Sequence, residues 1–434
     1  MKLHKYPEYK DSGVEWLGEI PSHWEIVKLK RLFREKKKIT NVDLPCGSIS
    51  FGKVVFKNDE KIPEATKKSY QVVSKGNYLL NPLNLNYDLI SLRIALSEID
   101  VVVSSGYIVL CTTEQLDKEY FKWLLHRYDV AYMKTLGSGV RQTINYSDIG
   151  DSELIFPPLS EQTRIAQFLD QKTVLIDKAI AIKTKQIGLL KERRQIVIHQ
   201  AVTRGVPEVR ASLQVKPSLK LKDSGVEWIG MIPEHWEIEP IKYSLNGIVD
   251  CEHSTAPFVD EEEFLVVRTS NVKNGKLTLE DAKYTSKKGY LKWTRRGIPE
   301  IGDILLTREA PAGEACLVPS GVKLCLGQRM VWLKINRLKL NPQFAIYLIY
   351  SKLVRTYIDY LSSGSTVLHF NMSDIGNMPI MQLPLEEQEA IVEYLQRIDL
   401  KTTNAISLKE QEIEKLKEYK ATLINSVVTG KVRV

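Results

Sequence analysis

From Ser160 to about Val202 the apolar residues Ile165, Leu169, Ile176, Ile180, Ile187, Leu190, Val197 and Ala201 follow one another at intervals of 4, 7, 4, 7, 3, 7 and 4. This is one stripe of coiled-coil period and predicts one long helix. The stretch holds no Pro and a single Gly, Gly188, and the stripe is interrupted by Lys172, Lys183 and Arg194. A second stripe, Ile391, Leu395, Ile406, Ile413, Leu416, Leu423 and Val427, predicts a second long helix near the end of the chain. Pro157 and Pro158 stop the strand before the first helix, and Pro384 does the same before the second. Some forty residues at ~1.5 Å rise form a rod of about 60 Å. Neither stripe can stay in water, so each needs a partner. The simplest partner is the other stripe, with the rods antiparallel, a pseudo-two-fold axis between them and a globular domain towards each end.

Outside the rods the pattern is shorter and mixed. "YQVVSKGNYLL" and "DVVVSSGYIVLCT" predict strands around Gly-containing turns. "TEQLDKEYFKWLLHRYDVAYMKTL" predicts a helix with Thr113 as its N-cap. The second half repeats that order with other residues: strands in "FLVVRTSNVKNGKL", "GDILLT" and "VKLCLGQRMVWLKI", then a helix in "NPQFAIYLIYSKLVRTYIDYL". Each of these helices runs into a small-residue loop, Gly137–Gly139 or Ser362–Gly364.

The two halves are copies. "DSGVEWLGEIPSHWEI" (Asp11–Ile26) returns as "DSGVEWIGMIPEHWEI" (Asp223–Ile238), changed only at Leu17/Ile229, Glu19/Met231 and Ser22/Glu234. "NYSDIG" (Asn145–Gly150) returns as "NMSDIG" (Asn371–Gly376), and "PLSEQTRIAQFL" (Pro158–Leu169) as "PLEEQEAIVEYL" (Pro384–Leu395). Between these anchors, residues about 31–135 and 243–360 share almost no identity. A repeat of half the chain is far longer than the roughly 20–50 residues of a solenoid unit, so it means two domain-sized copies. The expected fold class is α+β: two globular mixed α/β domains joined by two long antiparallel coiled-coil helices. The expected boundaries are 1–155, 156–206, 207–381 and 382–434.

Composition narrows the class without naming a function. The 434 residues are 43% hydrophobic and 26% charged, as in ordinary globular proteins, and the formal net charge is +8. That charge favours an anionic partner such as nucleic acid. The five cysteines, Cys46, Cys111, Cys251, Cys316 and Cys325, form no C-x-x-C pair and read as buried thiols of a reduced, cytoplasmic chain. The first residues lack the apolar core of a signal peptide, and no run of about eighteen apolar residues exists.

Catalytic motifs are missing. The sequence has no phosphate-binding G-x-x-x-x-G-K-[ST], no G-x-G-x-x-G and no H-E-x-x-H. "NPQF" (Asn341–Phe344) invites comparison with the N-P-P-[FY] motif of adenine N6-methyltransferases, but it lacks the second proline and suits a helix start. The acidic run Asp260–Glu263 reads as a solvated loop, so no metal site is expected. Binding candidates are more numerous. Arg141, Gln142 and Asn145 lie in a glycine-flanked loop, where Arg can fork onto guanine and Gln or Asn onto adenine. Ser365, Thr366 and His369 occupy the matching loop of the second half. Lys36, Lys37 and Lys38 form a basic cluster suited to phosphates, and Arg268, Asn271, Arg308 and Arg329 sit beside predicted strands. The repeated Trp16, Trp24, Trp228 and Trp236 fit packing of domain to rod better than base stacking.

Taken together, these repeats resemble the specificity subunits of type I DNA restriction-modification systems. The resemblance covers essentially the whole chain and rests on the two "KDSGVEW…IP…HWE" strips, the two "PL.EQ" helix starts, the dissimilar segments between them, and "GDILLTREAPAGEA" (Gly302–Ala315). It implies that each variable segment is a target recognition domain reading one half of a split, asymmetric double-stranded DNA site. It implies that the long helices space the two. It also implies a non-catalytic chain that brings two modification subunits using S-adenosylmethionine and restriction subunits using ATP and Mg, with no cofactor of its own. Two rival readings are a self-contained methyltransferase, which the missing cofactor loop argues against, and a coiled-coil adaptor with protein-binding globular domains, from which salt-dependent duplex binding separates a DNA reader.

Overall fold

The computed structural model describes residues 4–58, 60, 62–84, 92–133, 136, 142–212, 220–309, 311–362 and 370–434. It divides into two compact units, residues 1–184 with 410–434, and residues 185–409.

The first unit opens on a hairpin, Tyr9–Asp11 against Glu19–Pro21. The strip continues as strand Glu25–Lys28, which pairs antiparallel with Glu153–Phe156, the last strand before the first long helix. Start and end of the variable segment are therefore tied side by side. Between them lies a four-stranded antiparallel sheet in the order Ile94–Leu96, Tyr78–Leu80, Ile108–Thr112, Phe33–Glu35. Helix Lys118–Ala131 buries Tyr120, Phe121, Leu124, Leu125 and Tyr128, a helical-period face, in the same core as Tyr78, Leu80, Ile108 and Leu110 of the sheet. Its N-cap is Asp117, whose carboxylate accepts from the Glu119 and Tyr120 amides at 3.0 Å, and not the expected Thr113. The Thr113 hydroxyl is engaged instead by the Arg31 carbonyl, because Thr113 continues the edge of the strand that ends at Thr112.

The second unit repeats this plan. Hairpin Leu221–Asp223 with Met231–Pro233 opens it, and Glu237–Pro240 pairs with Pro379–Gln382. Its four-stranded sheet runs Leu245–Asp250, Met330–Ile335, Ile304–Thr307, Ala315–Leu317. Numbered by chain order within the sheet, both units read first, fourth, second, third. A three-stranded sheet, Lys283–Thr285, Phe264–Val267, Lys323–Leu326, adds a second core, with the last two strands parallel. The helix expected over 341–361 is two helices, Pro342–Ile349 and Lys352–Ser362. The break comes where the buried Ser351 hydroxyl takes the Leu348 carbonyl at 2.7 Å and competes with the helical ladder.

The long helices span Leu159–Arg204 and Leu385–Val428. In the first unit Ile165, Leu169 and Ile176 share a core with Leu423 and Val427. Asp177 there accepts from Lys420 at 2.7 Å and Lys183 donates to Glu412 at 2.6 Å, so the two stretches run in opposite senses. In the second unit Arg194 forks onto Asp399 at 2.7 and 3.2 Å. Lys183 and Arg194, two of the charges that break the apolar stripe, are thus the ones met by acids of the other helix. Among the described residues no helix is long and apolar enough to cross a membrane.

Candidate nucleic-acid interface

The repeated strip seats each variable domain on a long helix. Trp24 is fully buried and its indole donates to Glu161 at 3.1 Å. Tyr6 donates to the same carboxylate at 2.8 Å, and His23 Nε2 lies 2.8 Å from its other oxygen. In the second unit Trp236, also fully buried, donates to Glu387 at 3.0 Å, with His235 Nε2 at 3.0 Å. The next residue completes the seat. Gln162 is buried, accepts from the Asp117 amide at 2.9 Å and donates to the Pro157 carbonyl at 2.7 Å. Gln388 accepts from the Asn341 amide at 2.8 Å and donates to the Leu383 and Lys339 carbonyls at 2.9 Å. Asp117 and Asn341 are both helix N-caps, so "NPQF" is a helix start in which Asn341 accepts from the Gln343 and Phe344 amides. Trp16 packs edge-on against Tyr128, and Trp228 donates to the Leu353 carbonyl at 3.2 Å. All four tryptophans are structural packing, as their repetition implied.

Burial alone would raise the Glu161 carboxyl, but the hydrogen bonds from His23, Tyr6 and Trp24 outweigh it and hold the group below its ordinary value. A depressed folded value contributes stability that is complete above the unfolded glutamate value of about 4.3 and fades as pH falls through the lower folded value. Thermal unfolding followed from pH 6 down to pH 3 should therefore show a steeper loss in the native chain than in Glu161→Gln, which has no proton to take up. Equal slopes would remove Glu161 from the acid sensitivity.

The candidate DNA contacts fall into three groups. Arg141, Ser365, Thr366 and His369 lie outside the described residues. Gln142 sits in a short strand, Gln142–Thr143, paired with Leu83–Asn84. Asn145 is the exposed N-cap of helix Tyr146–Gly150 and its amide donates to Asp148 at 2.7 Å. Lys36 is half-buried, its ammonium held by Ser74 and Asn77 at 3.0 Å each, whereas Lys37 and Lys38 are exposed, Lys38 reaching the Ser105 carbonyl at 3.3 Å.

In the second unit the structure corrects two candidates. Asn271 is fully buried: its carbonyl accepts from the Arg268 amide at 3.1 Å and its amide donates to the Thr278 and Glu280 carbonyls at 3.2 Å each. It holds a turn and has no edge to offer a base. Arg308 is buried too: one terminal NH2 group donates to both Asp250 carboxylate oxygens at 2.9 and 2.8 Å, and its Nε donates to the Phe370 carbonyl at 3.1 Å. It ties the backbone of Phe370 to the Asp250 carboxylate. Arg268 is half-buried and reaches the Asp281 carbonyl. Arg329 stays exposed and stands next to this arrangement, since its carbonyl accepts from the Arg308 amide at 2.8 Å. Sequence reasoning passed over its neighbour Gln328, which bonds the His253 carbonyl at 3.1 Å and the Thr255 hydroxyl at 3.2 Å and so ties three polar, exposed residues together. It also passed over Phe51, 87% exposed at the tip of hairpin Gly47–Ser50/Lys53–Phe56. No group of three or more metal-ligating side chains occurs among the described residues. Cys46, Cys251, Cys316 and Cys325 are buried thiols, and burial pushes Cys316 and Cys325 up to about 12.

Two domains share one strand order, and each is pinned by the same strip to a long helix, which defines an internally duplicated two-domain protein. The chain belongs to the type I restriction modification DNA specificity domain family, whose model matches residues 21–192 and again 243–418. It is the specificity subunit of a type I restriction-modification system. A Methanocaldococcus jannaschii protein assigned as the type I restriction enzyme MjaX specificity subunit is 25% identical over 460 aligned positions, covering 100% of this chain and 99% of its own. The EcoBI specificity subunit of Escherichia coli is 24% identical, over 66% of this chain and 59% of its own. A chain from a structure describing assembly and conformational transition of the type I R-M system superposes with TM-score 0.68 at 15% identity, covering 94% of this chain and 98% of that one. The HsdS subunit from Thermoanaerobacter tengcongensis gives 0.52 at 15% identity, over 95% and 98%. At such identity these two likenesses concern the fold.

Proposed function

We propose that residues 31–150 and 243–376 each read one half of a split, asymmetric DNA site. In this reading the two long helices pair as an antiparallel coiled coil that fixes the gap between the half-sites. The carrying observation is that two segments with almost no sequence in common share one strand order and one seat. Duplicated seating with divergent loops suits a target whose halves differ. The ion pairs at Lys183 and Arg194 support the helical pairing, because a charge placed in an apolar seam and matched by an acid selects one register.

The chain has no chemistry of its own here and serves as a scaffold. Among the apolar side chains that the first long helix leaves exposed, Leu175 and Ile182 in one unit and Leu189 and Ile196 in the other follow one another at intervals of seven. Such rows suit helices of two modification subunits, with restriction subunits joining the same assembly. S-adenosylmethionine, ATP and Mg belong to those partners, and the complex works in the cytoplasm. The test is to replace residues 31–150 alone by the matching segment of a relative, co-express the chain with its modification subunit and map methylated adenines. One half of the methylated motif should change while the other half stays. A change in both halves would end the modular reading.

A further inference from the structure

Arg329 combines four features found together nowhere else among the described residues. It ends the turn Gly327–Arg329, which joins strand Lys323–Leu326 of one sheet to strand Met330–Ile335 of the other. Its backbone lies in the left-handed region, φ +67°, where a residue with a Cβ is strained. Its side chain is 56% exposed yet held, with Nε 3.1 Å from a Glu309 carboxylate oxygen. Its terminal NH1 and NH2 groups have no hydrogen-bond partner among the described residues.

The turn is fixed from several sides. Gly327 donates to the Val267 carbonyl at 2.8 Å, and a Cβ at Gly327 would lie 2.7 Å from that oxygen. Arg308, locked on Asp250, donates its amide to the Arg329 carbonyl at 2.8 Å, and Cys251 donates to the Met330 carbonyl at 3.2 Å. A strained backbone conformation persists only where its surroundings over-determine it, and such positions collect at functional sites. Here the surroundings hold a long cationic side chain out of the surface in one orientation.

We propose that Arg329 is a specificity-determining residue that reads a guanine in the major groove, and that Glu309 is the positioning residue that aims it. The assignment rests on the reading above in which the second unit serves one half-site. The chemistry follows from which edge of the guanidinium is taken. With Nε on Glu309, the NH1/NH2 end remains, and it matches the paired acceptors O6 and N7 of guanine. A phosphate is a poor alternative. The carboxylate 3.1 Å away neutralises the arginine and repels an approaching anion, so this pair adds little to general DNA affinity. A neutral base edge meets no such repulsion. In the minor groove guanine is told apart only by a donor, which a guanidinium cannot accept, so guanine-specific reading by this residue points to the major groove.

The test uses the full chain assembled with its modification subunit, and reads the methylated motif and the methylation rate at matched and single-mismatch duplexes. Arg329→Gly is the main variant, because glycine suits the φ of this position and the fold is not put at risk. Arg329→Lys keeps the charge without the fork, and Glu309→Gln keeps the shape without the carboxylate. Discrimination at one G·C position of a single half-site should fall roughly 10- to 100-fold in both Arg329 variants, and less in Glu309→Gln. The other half-site and the gap should stay as they are. A motif unchanged in both Arg329 variants overturns the assignment. So does a uniform loss of rate on all duplexes with discrimination retained, which would make Arg329 a phosphate contact. A native complex that methylates no split motif would instead remove the underlying two-reader reading, and is seen before any variant is made.

Discussion

Two residues inserted into the first long helix between Thr184 and Ile187 should abolish methylation, whereas four should preserve it and widen the gap in the recognised sequence. Two residues turn the helix by about 200° and four by about 400°, so only the longer insertion returns the apolar face to its partner. The contacts at stake are those of the seam. Lys183 on Glu412 precedes the insertion and Arg194 on Asp399 follows it, so a two-residue insertion cannot keep both. Four residues lengthen the helix by ~6 Å. At 3.4 Å per base pair this is at most about two base pairs, and slippage against the unchanged partner helix makes one the expected result. Sequencing of methylated adenines reads both the gap and the half-sites. A four-residue variant that methylates with an unaltered gap would show that the helices hold the readers without measuring between them.

Replacing Trp24 or Trp236 by Ala should produce the largest loss of stability of any single substitution outside the central sheets, about 3–5 kcal/mol each. Both indoles are fully buried and among the largest buried side chains of the molecule. Truncation removes their packing and also leaves the carboxylate of Glu161 or Glu387 short of a donor. Glu161→Ala and Glu387→Ala should cost less, about 1–3 kcal/mol, because they remove only the acceptor. Calorimetry or denaturant melts of the full chain check both. If Trp24→Ala and Trp236→Ala each cost under about 1 kcal/mol, the strip does not seat the domain.

Much of this architecture was legible because it was written twice. The long helices declared themselves by a sustained apolar period, and their observed limits, Leu159–Arg204 and Leu385–Val428, extend the stripes by only a turn or so. The strands came from short β-branched runs. What the sequence concealed depended on contacts between distant residues. Thr113 and Asp117 are both N-cap residue types, Asp the stronger, and the fold fixes the helix start at Asp117, whose carboxylate takes the Glu119 and Tyr120 amides. Arg308 and Asn271 have the chemistry of base readers, and their burial arises from Asp250, Phe370 and the turn at Thr278 and Glu280. Nothing within a few positions of either residue betrays that. Gln328 and Phe51 carried no motif, because exposure at a turn or hairpin tip is a property of the folded chain.

The seat on each helix has a consequence for how such a chain can diverge. Gln162 and Gln388 take hold of a backbone amide, that of Asp117 or Asn341, and not of a side chain. An amide is present at every position except proline. This grip asks of the recognition domain that a helix begin at the right place, while side chains such as Trp123 on Asp170 and Tyr347 on Asp399, both at 3.0 Å, add to the attachment. Mutation can rewrite the surface that meets DNA without loosening the joint that carries it. A lineage under pressure to change its target can thus explore new sequences while its assembly stays under separate selection.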